Sequence, residues 1–323
     1  MKNFFLAITL LTLIGAQSVP AQDYPTKVIT IIVPFTAGGP TDTVARLVAV
    51  PMTKALNVQV IVENVDGAGG TVGANRAAKS APDGYTLFLH HIGMATAPAL
   101  YRKLPYTPIT DFEPIGLINE VPMTMVAKKD FPPKDLREMI AYVKANKTIV
   151  NLANAGLGAA SHLCGTLFMV AIETDLTTIP YKGTGPAMND LLGGQVDIMC
   201  DQTTNTTSQI RAGKIKVYGV TTKKRVPSLP NVPTMDEAGL KGFEVAIWHA
   251  LYAPKGTPKP IIDKLTKALQ VALKDSMVIQ RFHDLGTDPV SEDRATPEAL
   301  RKHLKAETDK WGPILKKAGA YAD

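Results

Sequence analysis

The sequence predicts an α/β protein of two lobes, each built around a doubly wound sheet and joined by a two-crossing hinge. Three observations predict it. Runs of β-branched residues alternate with helical apolar patterns along 28–90 and again along 148–220, the order of a wound sheet with helices on both faces. A strand that runs into a glycine-rich turn and then a helix occurs twice, at Val33-Pro34-Phe35-Thr36-Ala37-Gly38-Gly39-Pro40-Thr41-Asp42 and at Asn154-Ala155-Gly156-Leu157-Gly158-Ala159-Ala160-Ser161-His162. Two extended apolar segments, 115–128 and 245–253, separate the halves and read as crossings between lobes.

Val28 to Val33 is a strand of β-branched residues. In the helix that follows, 42–56, Val44, Leu47, Val48 and Met52 share one side, and strand 58–63 completes a βαβ unit. Asp66 to Thr71 is a further glycine loop, with Gly70 and Thr71 at the start of helix 71–79. The Pro82-Asp83-Gly84 turn precedes strand Tyr85 to His90. Loops 34–42, 66–71 and 90–97 then fall on one rim, at the carboxyl ends of the strands, where such sheets bind ligands. Ile115 to Lys128 is extended and broken at Pro122, where the chain leaves the first lobe. Helix 136–145, strand 148–153, the second glycine turn and helix 163–172 follow. Strand 176–180, loop Tyr181 to Pro186, helix 187–193, strand 195–200 ending at Asp201, and strand 215–220 build the second lobe. The proline-rich stretch 226–233 precedes a short helix at 234–238. After the return crossing, helices 258–273, 275–284 and 296–317 cap the first lobe. The expected lobes are 22–122 with 247–323, and 123–246.

Lys2, the apolar run Phe4 to Gly15 and the small residues Val19 and Ala21 form an export signal, with cleavage expected after Ala21. The run is too short to span a bilayer, and no other approaches that length. Without Lys2, the remaining 34 basic and 29 acidic residues leave a net charge of +5, and no aromatic-basic interleaving points to nucleic acid. Cys164 and Cys200 in an oxidising compartment are compatible with a disulfide or with two buried thiols.

Catalytic and metal chemistry find little footing. Ser161 and His162 are adjacent, so on a helix their side chains diverge, and no G-x-S-x-G elbow exists. The six histidines show no ligand spacing, and no metal or cofactor is expected. His90 and His91, at a strand end, are expected to face opposite sides, with His91 toward the cleft. Gly38-Gly39-Pro40-Thr41 lacks the Gly-Lys-Ser/Thr of a phosphate loop. What remains is anion binding without covalent chemistry. A helix start carries free N–H groups and about half a positive charge, and two starts facing each other suit a ligand with a carboxylate at each end. Thr36, Thr41, Thr71 and Ser161 would add hydroxyl donors. A side chain at Gly39 would block the backbone's approach to the ligand. Asp42 is read as orienting its loop, and Arg46 as structural.

Several stretches resemble one family. They include Tyr24-Pro25, Val33 to Asp42 with Ala45-Arg46, Val62-Glu63-Asn64 with Gly67 to Gly70, Pro82 to Leu87, and Ser161-His162-Leu163. Pro180 to Gly183, Leu192 to Asp197, Glu237-Ala238-Gly239 and Ala253 to Pro258 continue the match in order over nearly the whole mature chain. On these motifs the chain resembles the Bug, or TctC-like, extracytoplasmic solute receptors of tripartite tricarboxylate transporters. The resemblance implies a two-lobed periplasmic binding protein of type II-like fold, acting as a monomer. It would capture a small organic acid and deliver it to membrane transporter subunits. It implies ligand contacts from Phe35 to Asp42 and from Gly156 to His162, mainly through backbone amides and ordered water. The family often carries serine where this chain has Ala159, which removes a hydroxyl donor. A sensor or adaptor that presents the ligand to a membrane signalling partner is the alternative reading.

Overall fold

The computed structural model describes residues 24–317, so the export segment lies outside the described residues. The chain opens with β1 (Ile29–Val33), α1 (Pro40–Leu56), β2 (Val60–Asn64), a 3-10 turn at Ala68–Gly70, and α2 (Thr71–Ala78). It continues through β3 (Thr86–His91), α3 (Gly93–Leu100) and β4 (Phe112–Lys128). The second lobe holds α4 (Leu136–Ala145), β5 (Asn151–Asn154), α5 (Ala160–Ala171), β6 (Thr177–Pro180) and α6 (Thr184–Leu192), then β7 (Ile198–Gln202), α7 (Thr203–Arg211) and β8 (Ile215–Val220). The return brings β9 (Ala246–Pro254), α8 (Lys259–Leu273), α9 (Ser276–Asp284), β10 (Asp288–Pro289) and α10 (Pro297–Lys317).

One continuous sheet runs β2-β1-β3-β9-β4-β7-β5-β6, with β8 and β10 also paired to β4. β1 pairs in parallel with β2 and β3, and β5 with β6 and β7, as wound halves require. The antiparallel strands are the two crossings, β4 and β9, and their partners. β1 is apolar along its length because both faces are covered. Ile29, Ile31 and Val33 pack with Val44 and Val48 of α1 and Leu265 of α8, while Ile32 joins Phe88 in the core on the other face.

β4 does not break at Pro122. It changes partners there: Phe112 to Pro122 lie along β9, and Met123 onward along β7 and β8. Proline lacks the N–H that a ladder needs, which suits a position where one ladder gives way to another. A single buried hydroxyl ties the two crossings. Thr221 Oγ1 accepts from Met123 N at 3.0 Å and donates to the carbonyl of Val245.

The structure departs from the sequence reading at three elements. Residues 93–100 are helical, where 90–97 was expected as loop. α3 is buried nearly all round, so it shows no amphipathic period, and Pro98 lies inside it. α7 is rich in threonine, a poor helix former. Tertiary bonds hold it, Thr203 Oγ1 donating to Gly286 O at 3.2 Å and Thr207 Oγ1 to Leu285 O at 3.3 Å. The predicted helix at 234–238 is only a turn. Thr234 and Glu237 cap each other reciprocally, at 2.8 and 3.0 Å, and Gly239 at φ 111° then ends it.

Cys164 of α5 and Cys200 of β7 form a disulfide spanning 36 residues. A loop of that length is worth about 4 kcal/mol in chain entropy. Reduction is therefore expected to lower unfolding stability by about that amount in urea melts with and without a thiol reductant. Coincident curves would show that packing alone holds α5 to the sheet.

Candidate functional site

Between the lobes lies a cavity of about 270 Å³ of atom-free space, narrow enough to admit little more than one water-sized sphere. Four helix starts meet on it. Gly39, Pro40 and Thr41 come from α1; Ala160 and Ser161 from α5; Thr184 from α6; Gln202 immediately precedes α7. Phe35, His91, Ala155 and Asp201 complete the wall. The first backbone N–H groups of each helix have no acceptor within it, so the cavity collects unmatched donors and the positive ends of the helix dipoles. A roomier crevice behind the hinge, lined by Glu120, Arg225 and Arg294, lies away from these helix starts. Its arginines are paired, Arg225 with Glu237 at 2.8 Å and Arg294 with Glu120 at 2.6 Å.

Asp42 organises the first loop. Its carboxylate accepts from Gly38 N, Arg46 Nε and Asn64 Nδ2, each at 2.9 Å. Burial pushes this carboxyl up, but the bonds from Arg46, Gly38 and Asn64 outweigh it and hold the pKa below its ordinary value. Gly38 adopts φ 82° to present that N–H, a conformation that favours glycine. Arg46 also bonds Asn64 Oδ1 at 3.1 Å, a structural task. Asn64 Nδ2 closes the loop onto Phe35 O at 2.9 Å.

The Phe35 ring roofs an aromatic and imidazole cluster. It stacks on His91 at 4.8 Å and meets His90 edge-on at 5.6 Å. The two histidine rings are 4.6 Å apart, not on opposite sides as strand alternation predicts. β3 ends at His91 and the chain turns directly into α3, so the period of two fails at this pair. His91 Nδ1 accepts from Gly93 N at 2.9 Å, and burial pushes its pKa down to about 3. Burial likewise holds His90 and His249 well below the usual histidine range, with His91 adding to both. His249 Nδ1 lies 3.0 Å from Asn119 Oδ1, an acceptor, so the ring proton sits on Nδ1. Its Nε2 must therefore accept, and the Thr41 hydroxyl, 3.3 Å away, donates to it. Thr41 was expected to donate to a ligand; its proton is committed to His249.

In the second loop, Asn154 Oδ1 accepts from Gly156 N and Ser161 Oγ from Ala155 N, both at 2.8 Å. Ser161 keeps its own proton to donate into the cavity. His162 Nδ1 accepts from Gly158 N at 3.4 Å, and burial pushes its pKa down to about 4. Asp201 Oδ2 accepts from Asn205 Nδ2 at 2.6 Å. Burial pushes the Asp201 carboxyl up to about 6, against bonds from Asn205, Gln202 N and Thr184.

The lobes touch around the cavity. Thr36 N donates to Lys182 O at 3.4 Å, and Lys182 Nζ stands 3.7 Å from Asp66. Tyr101 Oη bridges Ala68 O and Leu157 O at 2.7 Å each. A Cβ at Gly69 (φ 60°) would lie 1.7 Å from Leu157 O, and one at Gly183 2.2 Å from Thr36 Oγ1. A Cβ at Gly39, which lines the cavity, would make only ordinary contacts within the protein, the nearest at 3.6 Å, so the clashes between lobes fall on Gly69 and Gly183.

Of the residues picked from sequence, Phe35, Gly39, Thr41, His91, Ser161 and Asp201 line the cavity. Thr36 and Gly156 line an adjoining groove outside it. Ala37 and Gly38 are exposed. Gly70 sits behind the rings of Phe35 and His90, and Thr71 donates to Ala68 O at 3.0 Å, so neither reaches the cavity wall. Gly158, Ala159 and His162 shape the second loop without lining the cavity. Pro40 and Ala160, within the two loops expected to contact ligand, also line it, whereas sequence reasoning missed Ala155, Thr184 and Gln202 as wall residues. Thr184 carried a signal, since Tyr181 to Pro186 is a further strand–glycine–helix turn. Among the described residues, no group of three or more His, Cys, Asp or Glu is placed to hold a metal.

Comparison with known proteins agrees with this architecture. Residues 44–320 match the profile described as "Tripartite tricarboxylate transporter family receptor". A protein of Agrobacterium vitis, described as "UPF0065 protein in the TAR-I ttuE-ttuC' intergenic region", is 55% identical over 99% of this chain and 92% of its own length. The structure of the periplasmic binding protein BugD superposes with a TM-score of 0.90 at 55% identity, covering 92% of this chain and 99% of that one. That of MatC from Rhodopseudomonas palustris, with bound malate, gives 0.88 at 43%, covering 90% and 100%. Matched in sequence and in fold across nearly its whole length, the chain belongs to the TctC/Bug family of tripartite tricarboxylate transporter receptors, solute-binding proteins of the periplasmic binding fold.

Proposed function

We propose that this chain captures a small dicarboxylate between its lobes and delivers it to the membrane subunits of a tripartite tricarboxylate-type transporter. The observation that carries the reading is the meeting of four helix N-termini on one narrow interlobe cavity. Each contributes about half a positive charge, roughly +2 in all against the one negative charge of Asp201 in the same wall, so the cavity favours an anion. The malate bound to the MatC structure, 43% identical, supports a ligand of this size and charge. Capture involves no turnover. Ser161 Oγ and His162 Nδ1 each accept a bond from their own loop's backbone, so they form no nucleophile–base couple. On this reading the chain works as a monomer in the periplasm after cleavage at Ala21. Its lobes are 22–122 with 247–323, and 123–246, and they open to admit the ligand.

The test is a thermal-shift screen over C4 to C8 dicarboxylates. A ligand at a hundred times its Kd stabilises the folded state by about 2.7 kcal/mol and should raise Tm by several degrees. If no acid in the screen moves Tm, the carboxylate reading fails.

A further inference from the structure

In the second lobe a covalent bond lies directly behind the cavity wall. Ala160 and Ser161 reach the cavity from the first turn of α5, and Asp201 and Gln202 from the end of β7. Cys164 follows Ser161 by three residues, which puts both on one face of the helix. Cys200 precedes Gln202 by two, which puts both on one face of the strand. The Cys164–Cys200 disulfide thus joins the two elements one helical turn and one strand period from their cavity residues.

The remaining hold on α5 is smooth. Leu163, Cys164 and Phe168 bury in an apolar core shared with Leu152 and Cys200. Gly165 lets the helix rest close on β5, where a Cβ would lie 2.7 Å from Leu152 Cδ2. Apolar burial scales with area and has no direction, so it resists separation more than sliding. The side-chain hydrogen bonds of the first turn, from Ala155 N to Ser161 Oγ and from Gly158 N to His162 Nδ1, run to the helix's own loop and leave β7 untied. A site that must hold its ligand contacts to within about 0.5 Å tolerates little sliding.

We propose that the Cys164–Cys200 disulfide is a positioning bond for capture: it sets the register of α5 against β7, and so the spacing of Ser161 and the α5 N-terminus from Asp201 and Gln202. For affinity this rests on the carboxylate-receptor reading; for geometry it does not.

The test is residue-resolved amide exchange on the ligand-free wild type and on Cys164→Ala/Cys200→Val, which keeps the buried site apolar. The Ala155 amide is the reporter, because its acceptor is Ser161 Oγ. A bond that only stabilised the fold would speed all stable second-lobe amides by one common factor. Positioning predicts that Ala155 gains at least about tenfold beyond the factor seen for the β5 amides, approaching the rate in Ser161→Ala with the disulfide intact. If the double variant does not fold, wild type reduced with a phosphine is measured in the same way. Calorimetry with the C4 to C8 dicarboxylates of the thermal screen, at a temperature where the variant is fully folded, should show affinity lowered about tenfold. One common factor for Ala155 and β5, or an unchanged affinity, overturns the proposal. If no acid binds the wild type, the carboxylate reading falls and exchange at Ala155 alone decides.

Discussion

Gly183→Val is expected to weaken ligand binding about tenfold to a hundredfold while leaving the Tm of the ligand-free protein nearly unchanged. Gly183 precedes α6 at φ 169°, extended backbone that any residue adopts, so the substitution does not strain its own lobe. The added Cβ would stand 2.2 Å from Thr36 Oγ1 and 3.0 Å from Thr36 N, both on the facing lobe. Thr36 N already donates across the seam to Lys182 O. The clash therefore exists only when the lobes are closed, and overpacking of this kind costs roughly 1–3 kcal/mol. Calorimetry would report the affinity, and small-angle scattering would show a variant that no longer compacts when ligand is added. Gly312→Ala is the control, because nothing lies within 4 Å of the Cβ it would add. An unchanged affinity in Gly183→Val would mean that ligand binds without closure.

Stability should fall steeply as pH drops from about 6.5 toward 4. His90, His91 and His249 are at most 2% exposed and are held neutral by burial, His91 with a pKa pushed down to about 3. Their folded pKa values lie below the ordinary value of about 6.5. The unfolded state therefore binds more protons, and the stability these groups contribute is present above pH 6.5 and lost as pH falls toward their folded values. Each costs roughly 1 kcal/mol per pH unit in that window, about 3 for the three. Asp201 runs the other way. Its pKa is raised to about 6, so its contribution is present below the ordinary carboxyl value and lost as pH rises through 6. Between pH 4 and 6 it offsets about one histidine, but His162, pushed down to about 4, adds another, leaving a net loss of roughly 3 kcal/mol per pH unit. Urea melts at pH 7.5, 6 and 5 would measure the slope, and His90→Leu should reduce it by about one histidine's share. A flat profile would show that these rings accept protons without opening the fold.

Much of the architecture was legible because its signals are local. The period of β1 and α1, the Gly38-Gly39 turn and its echo at Gly156 to His162 each lie within about a dozen residues. Asp42 could be read as a loop organiser because a carboxylate in the first turn of a helix meets free N–H groups. Arg46, four residues on, is within reach of it on the same helix face. α7 could not be read, because its threonines form a helix only where Gly286 and Leu285 accept their hydroxyls. Gln202 carried no signal at all, being one polar residue after a strand.

The sequence alone determined the wound α/β pattern, the two crossings, two helix starts suited to anions and the family. Patterns of burial and backbone geometry repeat over short spans and survive without knowledge of the whole. Only the tertiary structure decided that four helix starts meet on one cavity, that Cys164 bonds Cys200, and that His90, His91 and His249 cluster behind Phe35. It also decided the polarity of the site. Thr41 donates to His249, 208 residues away, because Asn119 sets that ring's proton. Which end of a hydroxyl faces a ligand depends on partners brought in by packing from remote parts of the chain, and no local pattern encodes that.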